Sequence, residues 1–112
     1  MEDLKVTGAP RQFKTGAQRD NADGKLRMSL VPHKALNSAM VRYLQGAGTY
    51  GENNWKKGMK HSVLYDSTMR HLMQDFTGDD SEDHLGAALW NIMGMIWNRD
   101  NKPDMDDRAE YE

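Results

Sequence analysis

Residues 62–98 read SVLYDSTMRHLMQDFTGDDSEDHLGAALWNIMGMIWN and contain two apolar patterns with the period of an α-helix. The first pattern, at i, i+4, i+7, i+8 and i+11, consists of Tyr65, Met69, Leu72, Met73 and Phe76. Ser62 can cap this helix, and Gly78 stops it. The second pattern predicts a helix over residues 82–98 and consists of Leu85, Leu89, Ile92 and Ile96. Two helices that pack through these apolar stripes decide the predicted fold class.

The residues before this pair predict one more helix, which makes the chain a small all-α bundle. This helix is predicted over residues 33–45, because Pro32 suits a first helical turn and Gly46 follows the last apolar position. Its apolar face consists of Leu36, Met40 and Tyr43. Residues 47–58 contain three glycines with two aromatic residues and two lysines, which is typical of a functional loop or a tight turn between helices.

The two ends of the chain lack helical periodicity. Residues 1–24 form a predicted irregular N-terminal arm. Residues 25–31 alternate polar and apolar with the period of a strand, although an extended segment lying over the bundle fits the same pattern. The acidic C-terminal tail, residues 99–112, is expected to be disordered or to form a short helix on a neighbouring subunit. The predicted organisation is therefore the arm, a helical domain over residues 25–98, and the tail.

Composition and charge exclude several classes of protein. A chain of 112 residues supports one hydrophobic core. No apolar run approaches the ~18 residues of a membrane-spanning helix, so we expect no membrane association. The chain contains no cysteine and its N-terminus lacks the layout of a signal peptide, which favours a cytosolic setting. The net charge is −2 without a clustered basic face, so no duplex nucleic acid is expected as a partner.

Four blocks of residues, in matching order and spacing, resemble one known family. They are Asp23-x-Lys25-x-Arg27-x-x-Leu30-Val31-Pro32, Gly46-Ala47-x-x-Tyr50-Gly51-x-x-Asn54-Trp55-x-x-Gly58, Arg70-His71-Leu72, and Gly78-Asp79-Asp80 followed by His84-Leu85-x-x-Ala88-x-x-Asn91. The chain thereby resembles the N-terminal domain family of phage dATP/dGTP diphosphohydrolases, distant relatives of the MazG pyrophosphohydrolases. The resemblance implies a MazG-like helical bundle, often oligomeric, in the host cytoplasm. It also implies hydrolysis of purine deoxynucleoside triphosphates to a monophosphate and pyrophosphate with a divalent metal ion.

The sequence departs from this family at positions that bear on the metal ion. Ala87 stands where relatives often have histidine, and Gln45 stands where some have glutamate. The MazG-type carboxylate motifs, Glu-x-x-Glu on one helix and Glu-x-x-Asp on the next, are absent as such. Hydrolysis of a triphosphate nevertheless requires charge neutralisation by a divalent cation and a positioned water molecule. The identity of the metal ligands is therefore an open question at the level of the sequence.

The acidic turn between the second and third helices is the candidate metal site, because Mg²⁺ and Mn²⁺ prefer oxygen ligands. The proposed ligands are Asp75, Asp79, Asp80 and Asp83. Asp83 lies four residues after Asp79 and three after Asp80, so the three share a face if the helix begins early enough. Capping and the helix dipole favour acidic residues at a helix start without any metal, and that alternative stays open.

Further candidates come from the matching blocks. His71, His84 and Asp83 are the catalytic candidates, although a helical histidine is often a buried, hydrogen-bonded structural residue. Basic residues that could converge on a triphosphate are Lys25, Arg27, Lys57 and Arg70. Tyr50 and Trp55 could stack on a base while Asn54 reads its edge, and Asn91 shares a helical face with His84. The alternatives are a solvated basic surface and a Trp55 that anchors the loop on the core.

Three functions follow. The first is a metal-dependent dNTP diphosphohydrolase that forms a homo-oligomer. The second is a catalytically inactive protein that binds or sequesters a nucleotide signal, which the missing carboxylate motifs favour. The third is a protein-binding role, suggested by nine methionines and by Trp90 and Trp97, which read as one packing face or a dimer interface.

Overall fold

Three α-helices dominate the structure, a computed structural model that describes residues 8–112. They are α1 (His33–Tyr50), α2 (His61–Phe76) and α3 (His84–Asn101), and they confirm the predicted all-α class. The chain forms two compact units, of which the first ends at Val31 and the second spans Pro32–Glu112. All three helices belong to the second unit.

The first unit contains a short hairpin where an irregular arm was predicted. Strands β1 (Arg11–Gln12) and β2 (Gln18–Arg19) pair antiparallel, with Arg11 opposite Arg19. The turn is closed by a hydrogen bond from the Gly16 N–H to the Phe13 carbonyl, and Gly16 has a φ of 89°. The first seven residues of the predicted arm lie outside the described residues.

The strand predicted over residues 25–31 is absent from the described structure. A 3₁₀ turn spans Met28–Leu30 instead. Its backbone is satisfied locally, because the Leu30 N–H donates to the Arg27 carbonyl and the Val31 N–H to the Met28 carbonyl. A lone strand without a pairing partner would leave those groups unpaired, which explains why the alternating pattern does not form a strand here.

Helix α1 is longer than predicted and continues through Gly46 and Gly48 to Tyr50. A glycine inside a helix costs up to ~1 kcal/mol relative to alanine and does not by itself end the helix. The end comes at Gly51, whose φ of 93° is easy only for glycine and whose N–H donates to the Ala47 carbonyl. The predicted loop over 47–58 is correspondingly shorter and contains a 3₁₀ turn over Asn54–Lys57.

The buried faces of α2 and α3 are not the predicted apolar stripes. On α2, Leu64 and Thr68 are buried, whereas the stripe residues Tyr65, Met69, Leu72, Met73 and Phe76 are exposed by 39–92%. On α3 the buried positions are small or polar, namely His84, Gly86, Ala87, Ala88, Asn91 and Asn98. Each buried face begins one residue before the predicted stripe, a rotation of ~100° around the helix.

Small residues explain this difference, because they allow a close approach of the helices that larger side chains would prevent. Helix α3 packs against both α1 and α2. At its first contact with α1, a Cβ built on Gly86 would lie 2.9 Å from the Ser38 carbonyl oxygen. The stripe of large apolar residues is left on the surface of the described chain.

Both predicted helix starts shift in the structure. Helix α2 begins at His61, and Ser62 does not cap it; the Ser62 N–H and hydroxyl both donate to the buried carboxylate of Asp107. Helix α3 begins at His84, and Asp83 caps it by accepting from the Gly86 N–H at 3.0 Å. Asp79 and Asp80 therefore precede the helix and do not share a helical face with Asp83.

The C-terminal residues are ordered on their own chain, contrary to the predicted disordered tail or intersubunit helix. Two 3₁₀ turns follow α3, over Pro103–Met105 and Arg108–Tyr111. Asp107, between these turns, accepts hydrogen bonds at the start of α2. The neighbouring Asp106 accepts from the Arg108 guanidinium, which holds the pKa of Asp106 well below its usual range. No helix in the described part of the chain is long and apolar enough to cross a membrane.

Candidate functional site

A cavity of about 540 Å³ lies in the helical unit, where α1, α2, α3 and the loop after α1 meet. This volume is within the range of small-molecule sites in proteins. Its wall combines aromatic rings, side-chain amides, a guanidinium group and an imidazole, and includes Arg42, Tyr43, Trp55, His71, Trp90 and Asn91. A ligand in the cavity would therefore meet an aromatic surface and polar groups together.

The aromatic part of the wall is a packed cluster. Tyr43 packs edge-on against Trp55 with ring centroids 5.6 Å apart and lies 5.9 Å from Trp90. Trp55 in turn packs against Trp97 at 5.2 Å. Trp55 thus anchors the loop on the helices and also lines the cavity, so both sequence interpretations of this residue have a structural counterpart. Trp90 and Trp97 contribute to this cluster within one chain.

Arg42 joins the wall of the cavity to the turn before α3. Its guanidinium donates to the Glu82 carboxylate at 2.6 Å and to the Asp83 carbonyl at 3.2 Å. The hydrogen bond from Arg42 lowers the pKa of Glu82, which keeps this carboxylate ionised at neutral pH. The Arg42 side chain is 28% exposed and lines the cavity.

Beside Arg42, an aspartate and two histidines form a hydrogen-bonded chain. Asp79 Oδ2 lies 2.6 Å from His84 Nε2, and His84 Nδ1 lies 2.9 Å from His71 Nδ1. The hydrogen bond from His84 lowers the pKa of Asp79, and burial lowers the pKa of His71. Asp79 is therefore ionised and His71 neutral at pH 7, so His84 donates through Nε2. His71 lines the cavity while His84 lies buried behind it.

Asn91 contributes a fixed amide to the cavity. It is buried, and its Nδ2 donates both to the Ser67 hydroxyl and to the Ala87 carbonyl, each at 3.0 Å. These two bonds leave the carbonyl oxygen Oδ1 without a protein donor in the described part of the chain. That oxygen is available to accept a hydrogen bond from a ligand.

The structure brings together the three predicted base-binding residues and two other candidates. Tyr50, Asn54 and Trp55 line the cavity, and so do the catalytic candidate His71 and the substrate-binding candidate Asn91. The predicted phosphate-binding residues are distributed differently. Lys57 and Arg70 are exposed and are absent from the cavity wall, and Lys25 and Arg27 belong to the first unit.

The four aspartates predicted as metal ligands are not assembled into one group. Asp79 is held by His84 and by the N–H and hydroxyl of Ser81, and Asp83 caps α3. Asp75 and Asp80 are exposed. Among the described residues, the group of three potential ligands is instead His71, Glu82 and His84.

Two residues of the site were missed from the sequence. Glu82 stood in the acidic turn, two residues before His84, and that Glu-x-His spacing was an available signal. Arg42 lies forty residues from Glu82 in the chain, and nothing in the sequence indicated their pairing. Tyr43 was assigned only to the apolar face of α1, and in the structure it also lines the cavity.

Comparison with known proteins agrees with the family resemblance of the four sequence blocks. A family model described as "dATP/dGTP diphosphohydrolase, N-terminal" matches residues 15–108. The chain is 29% identical over 99 residues to a dATP/dGTP diphosphohydrolase of Salmonella phage PMBT28; the match covers 84% of this chain and 33% of that protein. The chain thus spans about a third of the length of the curated relative, and no solved structure matches it. The chain therefore belongs to the dATP/dGTP diphosphohydrolase N-terminal domain family.

Proposed function

We propose that the cavity binds a purine deoxynucleoside triphosphate, and that this chain takes part in its hydrolysis to a monophosphate and pyrophosphate. The observation that carries the proposal is the joint presence of an aromatic wall and the Arg42–His71 edge in one cavity. Membership of the family and the named activity of the phage relative support it. The phage origin of that relative also supports the host cytoplasm as the place of action.

The cavity offers separate positions for the parts of such a substrate. A purine base would lie on the rings of Tyr43, Trp55 and Trp90, where aromatic contact tolerates either purine. The Asn91 carbonyl oxygen would accept from an amino or imino group of the base. The triphosphate would lie toward Arg42, whose forked guanidinium matches phosphate oxygens.

The reaction requires few covalent events. The oxygen of a water molecule forms a bond to the α-phosphorus, the bond from that phosphorus to the oxygen bridging to the β-phosphate breaks, pyrophosphate leaves with that oxygen, and the proton of the water passes to the solvent. Arg42 would hold phosphate oxygens, and a divalent cation, Mg²⁺ or Mn²⁺ in our proposal, would supply charge neutralisation. The chemistry of the donors at this edge is mixed, with two imidazoles and carboxylates, which suits Mn²⁺ better than Mg²⁺.

The direct test is incubation of the chain with dATP and dGTP in the presence of Mn²⁺ or Mg²⁺, followed by chromatography of the products. We expect a monophosphate and pyrophosphate in equal amounts. Free inorganic phosphate in place of pyrophosphate would show a different bond cleavage. Absence of both products and of any thermal stabilisation by the nucleotides would remove the proposal.

A second candidate, nucleotide binding without hydrolysis, is favoured by the use of the acidic residues. Asp83 caps α3 and Glu82 pairs with Arg42, so these carboxylates have structural partners, and the MazG-type motifs are absent. The same incubation separates the two candidates. A bound nucleotide recovered intact after denaturation of the protein would favour sequestration.

We also propose that the protein forms a homo-oligomer through the apolar stripe of α2. The stripe leaves five large apolar side chains exposed in the isolated chain, and a helix of a stable monomer seldom leaves such a row uncovered. A second copy in a two-fold arrangement would present the same stripe in return, which makes the surface self-complementary.

A further inference from the structure

The two histidines at the edge of the cavity are spaced like ligands of one ion. Their Nδ1 atoms are 2.9 Å apart, and the Glu82 carboxylate oxygen Oε1 lies 3.9 Å from His71 Nδ1. One ligand atom from each of the three residues lies within 4.8 Å of the others. Two nitrogens bound to one metal ion at ~2.0–2.1 Å each are separated by roughly 2.9–3.4 Å. The observed nitrogen separation therefore lies at the lower end of the range for two ligands of one ion.

The surroundings of His84 fix its orientation and its tautomer for this purpose. Its ring is buried, with 2% of the side chain exposed, and its Nε2 donates to Asp79 at 2.6 Å. Asp79 is itself fixed by the N–H and hydroxyl of Ser81. A metal-bound histidine almost always donates its second N–H to a carboxylate or carbonyl group. Asp79 is thus placed as the partner that accepts from His84 Nε2 and holds the ring with Nδ1 facing His71.

From this geometry we propose that His71, Glu82 and His84 bind one divalent transition-metal ion, such as Zn²⁺, Co²⁺ or Mn²⁺, with Asp79 as the group that orients His84. Two imidazole nitrogens and a carboxylate oxygen suit these ions, whereas Mg²⁺ and Ca²⁺ prefer all-oxygen surroundings. The ligand set differs from the four aspartates predicted from the sequence. Three protein ligands leave a position open for water or a phosphate oxygen, and His71 brings the ion to the wall of the cavity.

Arg42 is compatible with the ion. Its guanidinium donates to Oε1 of Glu82, the oxygen that also faces His71, and a carboxylate oxygen with two lone pairs can accept from a guanidinium while it binds a metal ion. The arrangement would place two cations, the guanidinium and the divalent ion, beside one cavity edge, where they would balance the charge of a triphosphate. The role of the ion toward a triphosphate rests on the proposed function, but binding of the ion can be measured without nucleotide.

The test uses tag-free protein, because the chain has only two other histidines, His33 and His61. After removal of metal with a chelator, the protein is titrated with Co²⁺ under visible absorption and with Zn²⁺ by calorimetry, with excess Mg²⁺ as competitor. We expect one ion per chain, cobalt absorption bands of imidazole ligation, and no displacement by Mg²⁺.

Variants assign the ligands. Glu82→Gln and His71→Ala are expected to weaken Zn²⁺ binding at least tenfold, as loss of a metal contact commonly does. The matched controls Asp66→Asn, an exposed carboxylate on α2, and His33→Ala should leave binding unchanged. Glu82 is exposed and its glutamine variant keeps the shape of the side chain, so a folding defect is not expected there; the thermal unfolding profile of each variant verifies this.

Three outcomes would overturn the metal site. In the first, the wild-type protein would bind neither Co²⁺ nor Zn²⁺, and a proton alone would lie between the histidines. In the second, metal binding would be unaffected by Glu82→Gln and His71→Ala. In the third, Asp80→Asn would weaken binding and Glu82→Gln would not, which would assign the ion to the aspartates predicted from the sequence. Ion binding without any hydrolysis would leave the site standing and remove the hydrolase, whereas hydrolysis with Mg²⁺ by a protein that binds no Zn²⁺ or Co²⁺ would do the reverse.

Discussion

At the scale of single residues, the structure depends on a few positions where size or charge leaves no alternative. Gly86 is one, because α1 passes directly over it, and Arg42 is another, because it connects the cavity to the turn before α3. Neither residue belongs to an apolar stripe. Substitution of Gly86 therefore tests the helix packing, and substitution of Arg42 tests the site. Helical periodicity indicates neither role.

Replacement of Gly86 by alanine should destabilise the fold. The new Cβ would lie 2.5 Å from Asp83 Oδ2 and 2.9 Å from the Ser38 carbonyl oxygen, so backbone must move. We expect a loss of ~1–3 kcal/mol in the free energy of unfolding, as in other overpacked contacts. Gly48→Ala is the matched control, since this helical glycine has no atom within 4 Å of an added Cβ, and it should gain up to ~1 kcal/mol. Chemical denaturation measures both, and equal effects would contradict the close contact.

Replacement of Arg42 by glutamine should reduce the affinity for dATP much more than that for deoxyadenosine. A charge-assisted hydrogen bond to phosphate contributes ~1.5–3 kcal/mol, so a loss of roughly tenfold or more is expected for the triphosphate. The exposed Arg99, outside the cavity wall, supplies the control Arg99→Gln. Isothermal titration measures the affinities. Equal losses for the nucleoside and the triphosphate would place the phosphates elsewhere.

At the scale of elements, the start of α2 is stabilised by a residue from the end of the chain. Asp107 accepts from both the N–H and the hydroxyl of Ser62, so the last turns hold a helix that begins forty-six residues earlier. The sequence pattern placed the cap at Ser62 itself, because serine commonly caps helices. In the structure, the Ser62 N–H at this helix start instead donates to the Asp107 carboxylate, which a tertiary contact brings there.

This contact should give a pH-dependent stability. The hydrogen bonds from Ser62 lower the pKa of Asp107, so its contribution is present above the pKa of an unfolded aspartate, ~3.9, and is lost as the pH falls through the lower folded value. Asp107→Asn should lower the melting temperature by several degrees at pH 7, and the difference from wild type should narrow toward pH 3. Glu110→Ala, at an exposed residue of the 3₁₀ turn that follows Asp107, should change little. A constant difference between pH 7 and pH 3 would rule out the ionised carboxylate as the stabilising group.

At the scale of the whole molecule, the apolar stripe of α2 is exposed in the isolated chain, and two kinds of partner could cover it. Leu64 and Thr68 face the chain's own core, and Met69 and Met73 lie on the neighbouring, uncovered face. In a homo-oligomer a second copy covers that face. In a longer protein a further segment could cover it, since the phage relative is about three times as long as the matched region.

The assembly is tested by charge on the stripe. Met69→Lys together with Met73→Lys should convert an oligomer into a monomer with unchanged helical content, because both side chains are exposed in the isolated chain. Val63→Lys, at an exposed apolar position of α2 outside the stripe, should leave the oligomer intact. Light scattering after size exclusion gives the mass. A wild-type chain that is monomeric at high micromolar concentration would exclude assembly through this stripe.

The sequence by itself determined the helical class, the existence of all three helices, the family, and five of the residues around the cavity, among them Trp55 and Asn91. Helical periodicity and the spacing of motifs are local properties, so they are readable along the chain. Tertiary structure alone decided which helix face is buried, because an apolar stripe has the same period whether it covers a core or a subunit contact. It also decided the pairing of Arg42 with Glu82 and of His71 with His84. Such contacts depend on how α3 lies against α1 and α2, and that packing is set by small and polar residues that a search for apolar periodicity does not register.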